Sequence, residues 1–179
     1  MTTLFVIAAL LIVAAIAVVV VAALRPDAFR VERSASIKAP PEAIFPLIND
    51  LHRFNAWNPY ERMDPQIKGS YSGAPAGAGA AYAWESGKVG TGRMEIVDVA
   101  PPSKIVMKLD FLKPFEGHNT AEFSLVPQAG ATTVTWAMYG RASFVSKLMG
   151  LFFSMDAMIG KSFESGLANL KSAIEVSPS

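Results

Sequence analysis

The sequence contains no cysteine and only two histidines. The absence of thiols fits a reducing compartment and leaves no disulfide framework. A metal centre would fall to His52 and His118, which lie on different predicted elements with no His or Cys neighbour at ligand spacing, so neither a metal nor a cofactor is expected. Charge of one sign is missing too. With 16 basic and 15 acidic residues the net charge is +1, which gives no field to attract nucleic acid. Complete phosphate cradles are also lacking. Gly77-Ala78-Gly79 and the Gly87 to Gly92 stretch are not followed by a helix and read as turns, and Gly160-Lys161-Ser162 lies mid-helix with Met155 where a P-loop needs its first glycine. There are no internal repeats and no low-complexity tail.

What is abundant is apolar residues, at 51% of the chain, and the excess sits at the front. Leu4 to Leu24 carries no charge and no proline, and at about 1.5 Å per residue it is long enough for a bilayer core of about 30 Å. The competing reading is a cleaved signal peptide. No Lys or Arg precedes the run, and it exceeds the ~7–15 residues of a signal core, so residues 1–25 are read as a retained anchor. Arg25, Arg30, Arg33 and Lys38 all follow it, which predicts a single pass through the inner (cytoplasmic) membrane with the C-terminal domain in the cytoplasm. Residues 26–30 are a linker, and Arg25 to Arg30 reaches about 20 Å at most. The domain, residues 31–179, therefore sits against the membrane surface.

The last long segment has a one-sided pattern. Met155, Ile159, Phe163, Leu167, Leu170 and Ile174 recur at helical spacing along one face, from Ser154 to Val176. Only the short alternating segments between Gln66 and Gly140 are extensive enough to cover that stripe. Before them come a strand from Val31, a short helix interrupted by Pro46, and a second short helix capped by Asn49-Asp50 and stopped at Trp57-Asn58-Pro59. Then follow a weak strand, Gln66 to Tyr71, and alternating runs around Tyr82, Met94, Met107, Phe123 and Trp136, joined by short turns. They predict a mostly antiparallel sheet with one apolar face.

Strand, two short helices, antiparallel strands and a long C-terminal helix is the order of an α+β helix-grip fold: a curved antiparallel sheet wrapped around a long C-terminal helix, here preceded by one N-terminal transmembrane helix. The stretch SASIKAPPEAIFPLINDLHRFNAWNPY (Ser34 to Tyr60) resembles the opening of the polyketide cyclase/dehydrase and START-like (SRPBCC) superfamily, with Trp57 at the second aromatic position of its motif and Phe54 near the first. The ending MDAMIGKSFESGLANLK (Met155 to Lys171) is similar to the close of many bacterial members. The resemblance covers residues 31 to 176 and implies a deep apolar cavity between sheet and helix that takes lipids, polyketides or aromatic compounds. Its expected lining is Trp57, Tyr82, Trp84, Met94, Met107, Phe111, His118, Phe123, Trp136, Met138, Met155 and Ile159, a set rich in methionine and aromatics that adapts to apolar shapes.

No catalytic constellation is evident in the residues. His118 reads as a cavity-rim residue, and the acidic pair Glu61 and Asp64 as solvated surface. Phe144 to Phe153 is more apolar than a connector needs. It reads either as a helix start packed on the core or as a bilayer contact through Leu148, Met149, Leu151, Phe152 and Phe153, with Lys147 at the headgroups. The expected function is a membrane-anchored binding protein for a hydrophobic small molecule or lipid, without turnover. One alternative is a cyclase-type enzyme in which Tyr82, His118, Glu85 or Tyr139 positions an enolate; its mark is two of these converging in the cavity. Another is a solid-core interaction module, which a cavity volume distinguishes.

Overall fold

The chain folds in the order α1 (Thr2–Ala23), β1 (Ala28–Ile37), α2 (Pro41–Asn49), α3 (Leu51–Trp57), α4 (Pro59–Met63), β2 (Lys68–Gly73), β3 (Ala80–Ser86), β4 (Gly90–Ala100), β5 (Lys104–Lys113), β6 (Gly117–Gln128), β7 (Ala131–Arg141), α5 (Phe144–Met149) and α6 (Met155–Glu175). The computed structural model describes residues 2–175, except for the side chains of Thr2, Thr3 and Met155. The expected helix end at Val176 and domain end at Ser179 run past the described residues.

The strands form one antiparallel sheet of seven in the order β1-β7-β6-β5-β4-β3-β2. After β1, which pairs with the last strand, it is a simple meander, because each short turn returns the chain beside the strand it has just left. Register shifts in β4 against β5, at Thr91/Gly92 and Ile96/Asp98, are irregularities of the kind that bend a sheet. Apolar residues of one face turn inward: Met94 and Ile96 on β4, Ile105 and Met107 on β5, Phe123 and Leu125 on β6, Val134 and Trp136 on β7.

On that face lies α6, whose stripe does what its spacing predicts. Phe163, Leu167 and Leu170 are buried, and Ile159 and Ile174 are half-buried. Phe163 stacks on Trp136 at 4.2 Å, and Gly166 lets the helix approach so closely that a Cβ there would lie 2.6 Å from the Trp136 ring. The helix is also tied to edge strand β1. Arg33 reaches Glu164 at 2.7 Å and Asp156 at 3.0 Å, its guanidinium lying over Gly160. These hydrogen bonds, helped by the opposite charges, hold the Asp156 carboxyl below, and the Arg33 guanidinium above, their usual ranges. Curved sheet and gripped helix together make the helix-grip fold.

Three local features differ from the sequence expectation. The linker is shorter, because β1 begins at Ala28 and not Val31, its alternation extending back through Phe29. Pro46 neither ends nor delays α2; the helix runs through it with the ring on the exposed side. Pro59 stops one helix but also starts another: Asn58 accepts the Tyr60 N–H as N-cap and Pro59 fills the first position, so α4 follows α3 directly.

Pairing also sorts the turns between the two ends of the sheet. Ala28 pairs with Arg141, Thr91 with Lys113 and Gly117 with Phe111, so the start of β1, the β3–β4 and β5–β6 turns and the close of β7 share one end. α1 enters at this same end. Ala142 N–H donates to the Asp27 carbonyl at 2.8 Å, Arg25 Nη1 donates to the Gly150 carbonyl at 2.6 Å, and Lys147 is paired with Asp27. Beyond Ala22, which is buried, α1 is largely exposed along its length.

Candidate functional site: an apolar cavity between sheet and helices

Between the concave face of the sheet and the helices lies a cavity of about 350 Å³. Its sheet wall carries Tyr82, Trp84, Met94, Met107, Leu109, Phe111, Phe123, Trp136 and Met138, and its helical wall Phe54, Tyr60, Ile159 and Phe163. Phe29, Phe115, Arg141, Ser143 and Ser146 stand at the end where α1 enters. A second, shallower cavity of about 520 Å³ adjoins that end, lined by Arg25, Lys147, Phe152 and Phe153 among others. Phe29 and Ser146 line both cavities and form the partition between them.

Glycines set the aromatic walls. Gly69 on β2 lies beneath the Tyr82 ring, and Gly92 on β4 beneath the Trp84 indole, where a Cβ would also come within 2.6 Å of the Asp110 carbonyl. Side chains at either position would push the rings inward, so these glycines keep the cavity open. The glycine-rich stretch that reads as a plain turn thus extends, through Gly92, into a working strand.

Few polar groups face the interior. The Tyr82 hydroxyl donates to Glu61 Oε1 at 2.6 Å, and burial, followed by the Glu61 carboxylate, pushes the Tyr82 phenol up from its ordinary value. Burial likewise raises the Tyr60 phenol. Trp84 Nε1 is buried without a hydrogen-bond partner among the described residues. Such a donor in an apolar wall costs free energy until an acceptor reaches it. Among the described residues no group of three or more His, Cys, Asp or Glu stands close enough to hold a metal ion.

Of the residues the sequence nominates, Tyr82, Trp84, Met94, Met107, Phe111, Phe123, Trp136, Met138 and Ile159 are brought together around the cavity. Two are not. Trp57 packs behind the wall, edge-on to Phe54 and Trp136, with its Nε1 donating to the Leu47 carbonyl at 2.9 Å. His118 points to the opposite face of the sheet, its ring exposed and its Nδ1 2.7 Å from Asp110, because strand alternation puts it in register with Asp110 and not with inward Leu109. Met155 has its side chain outside the described residues. The enolate-positioning group disperses as well: Tyr139 donates to Glu122 at 3.3 Å beneath Arg30, Glu85 is exposed, and only Tyr82 reaches the cavity.

Glu61, which reads as solvated surface in the sequence, and Tyr60 and Phe29, which carry no site signal there, also line the cavity. Glu61 and Asp64 do not act as a pair. Glu61 takes the Tyr82 hydroxyl, while Asp64 accepts from Ser86 at 2.6 Å and from the Gln66 N–H, contacts that lower its carboxyl. The Asn58-Pro59 start signal would have put Glu61 and Tyr60 on a helix, and extending the β1 alternation back by two would have turned Phe29 inward. The tip residue Phe115 has no such signal.

A sheet gripping one long helix over an apolar cavity defines a helix-grip protein of the kind that takes hydrophobic ligands or carries out cyclase-type chemistry. The chain belongs to the family described as polyketide cyclase/dehydrase and lipid transport, whose model matches residues 28–175. Solved structures share the fold. Protein MLL2253 from Mesorhizobium loti superposes with a TM-score of 0.62 at 13% identity, covering 84% of this chain and 100% of that one. CV1439 from Chromobacterium violaceum gives 0.60 at 14% identity, over 87% and 100%. Ms6760 from Mycobacterium smegmatis gives 0.59 at 16%, over 83% and 92%. A comparison with curated proteins finds no match. The matched region leaves out α1, an exposed apolar helix that meets the length and composition of a membrane span and equally of a signal sequence.

Proposed function

We propose that this protein is a membrane-anchored carrier that holds one hydrophobic small molecule or single-chain lipid in the helix-grip cavity without transforming it. The observation that carries the reading is the cavity itself. At about 350 Å³ it falls at the low end of the ~300–1,000 Å³ of small-molecule sites, which favours one chain or ring system over a two-chain phospholipid and disfavours a solid-core module. The ligand gains by burying apolar surface, at roughly 25 cal/mol per Å². The Trp84 N–H, buried and unpaired with the indole in this position, is offered to an acceptor atom of the guest, such as a carbonyl or ether oxygen, when the indole shifts toward it. Methionines at 94, 107 and 138 fit the wall to different outlines, which supports a hydrophobic class over a single rigid compound. Retention of α1 as an anchor rests on an apolar run longer than a signal core, and placing the domain on the cytoplasmic side rests on the basic residues that follow it.

The test is native mass spectrometry of the full chain released from detergent, together with displacement of the apolar fluorophore N-phenyl-1-naphthylamine. Wild type is expected to carry an apolar guest and to take up the probe. Ala121→Phe, which fills the cavity from β6, is expected to lose both while keeping its fold. An empty wild type that ignores the probe overturns the reading, and conversion of the released guest on incubation overturns its non-catalytic part.

A further inference from the structure

We propose that the cavity mouth is seated on the lipid bilayer, the tips around it inserted at the headgroup boundary, so that a guest passes directly between membrane and cavity. The proposal rests on the reading above, in which α1 spans the membrane and the cavity binds a guest, and adds which face of the domain meets the lipid.

Outside α1 the exposed phenylalanines all lie at one end, while the exposed apolar residues toward the other, among them Tyr71, Val97 and Val126, stand on the strands and not on the turns. Where α1 enters, the β5–β6 hairpin presents Leu112, near the end of β5, at 55% and Phe115, in its turn, at 59% exposure, and the α5–α6 segment presents Phe144 at 48%, Phe152 at 68% and Phe153 at 60%. The turns at the opposite end, residues 74–79, 101–103 and 128–130, consist only of Ala, Gly, Pro, Ser and Gln. A tip chosen only for solubility would not carry five large apolar side chains, and their grouping at one end marks an interaction site. The occupant is settled by where α1 emerges. The connector that follows it is fixed to this end by Arg25 on the Gly150 carbonyl and by Asp27 on Lys147, while the outer length of α1 is exposed, so the surface nearest the tips is the one α1 crosses. Arg25, Lys113 and Arg141 flank the same tips, as suits anionic headgroups. Lys147, expected from the sequence at the headgroups, is instead nearly buried in its pair with Asp27; it holds the junction and leaves the lipid contact to the aromatics.

The mouth lies between these tips. Phe115 lines the cavity from the hairpin side, and Phe29 and Ser146 separate it from the second cavity beside Phe152 and Phe153. In this seating a guest leaving the hydrocarbon enters past Phe29 and Phe115, with Arg141, Ser143 and Ser146 beside them.

Because the chain has no cysteine, single nitroxide labels report on depth cleanly. The full chain, reconstituted in nanodiscs of phosphatidylcholine and phosphatidylglycerol, carries a label at Phe115→Cys, Phe153→Cys, Ala76→Cys or Gln128→Cys. Power saturation is expected to show loss of collisions with aqueous nickel chelate and gain of oxygen collisions at 115 and 153, with the reverse at 76 and 128. Equal nickel access at all four positions overturns the proposal while leaving cavity binding, read by the fluorophore, standing. A chain that the nanodiscs do not retain overturns the anchor and this orientation with it.

Discussion

The Tyr82 hydroxyl donates a 2.6 Å hydrogen bond to Glu61 Oε1, joining β3 to the short helix α4 across the cavity wall. The donor must keep its proton for the bond to exist. Burial and the nearby carboxylate both disfavour the phenolate, so Tyr82 ionises above its ordinary value of 10.0. Its folded-state value is the higher one, so its contribution to stability is full below the unfolded phenol's range and is lost as pH rises from there through the folded value. Chemical-shift titration of tyrosine-labelled protein, with Tyr82→Phe as the assignment control, is expected to show this late ionisation. Glu61→Gln should bring it partway back, because burial remains.

The Trp84 indole makes a separable prediction. Replacing it with 3-benzothienylalanine keeps the shape and deletes only the N–H. In the empty protein this removes a buried unpaired donor, so the thermal midpoint is expected to hold or rise. In the loaded protein it removes the hydrogen bond to the guest, worth about 1 kcal/mol or roughly fivefold in affinity. Titration of an acceptor-bearing apolar ligand against both proteins checks the second effect. Unchanged affinity would mean the N–H never meets the guest.

How much of this could be read in the chain depends on whether the signal is periodic or point-like. The α6 stripe from Ile159 to Ile174 and the alternation through Met94, Met107, Phe123 and Trp136 are repeated over many residues, and the face they define is the face that is buried. His118 escaped because a single strand residue has two possible faces, and only pairing with Asp110 decides between them. Trp57 escaped differently: it is apolar and buried as its pattern demands, but burial does not distinguish a residue lining a cavity from one packed behind it. Glu61 reads as solvated when Asn58-Pro59 is treated only as a helix stop, although it also starts α4. The end of the sheet that bears the exposed aromatics follows from strand pairing, which no local window contains.

Gly166 tests how tightly the helix is gripped. Alanine is favoured over glycine inside a helix by about 1 kcal/mol. Here the added methyl would sit 2.6 Å from the Trp136 ring and 3.0 Å from Pro59, and Trp136 cannot retreat because Phe163 is stacked on its ring at 4.2 Å. Overpacking of this kind costs about 1–3 kcal/mol, so Gly166→Ala is expected to be destabilising on balance despite its better helix propensity. Thermal unfolding followed by near-ultraviolet circular dichroism should show a lower midpoint and a changed tryptophan signal. A higher midpoint would mean that α6 is free to slide away from the sheet.

His118 gives the sharpest contrast between carrier and cyclase. Its Nδ1 lies 2.7 Å from Asp110, and that hydrogen bond, followed by the attraction of Asp110 and Glu116, raises it above its ordinary value of 6.5. Since the folded-state value is the higher, the protonated pair stabilises the fold below the unfolded histidine's range, and this contribution disappears as pH rises through the folded value. Asp110→Asn should return the imidazole titration toward 6.5. Yet the ring is 62% exposed and faces away from the cavity, so His118→Ala is expected to leave guest affinity unchanged while abolishing the pH-linked increment in stability. If affinity instead falls in parallel with protonation of His118, the imidazole reaches the guest, and an acid–base role would displace simple holding.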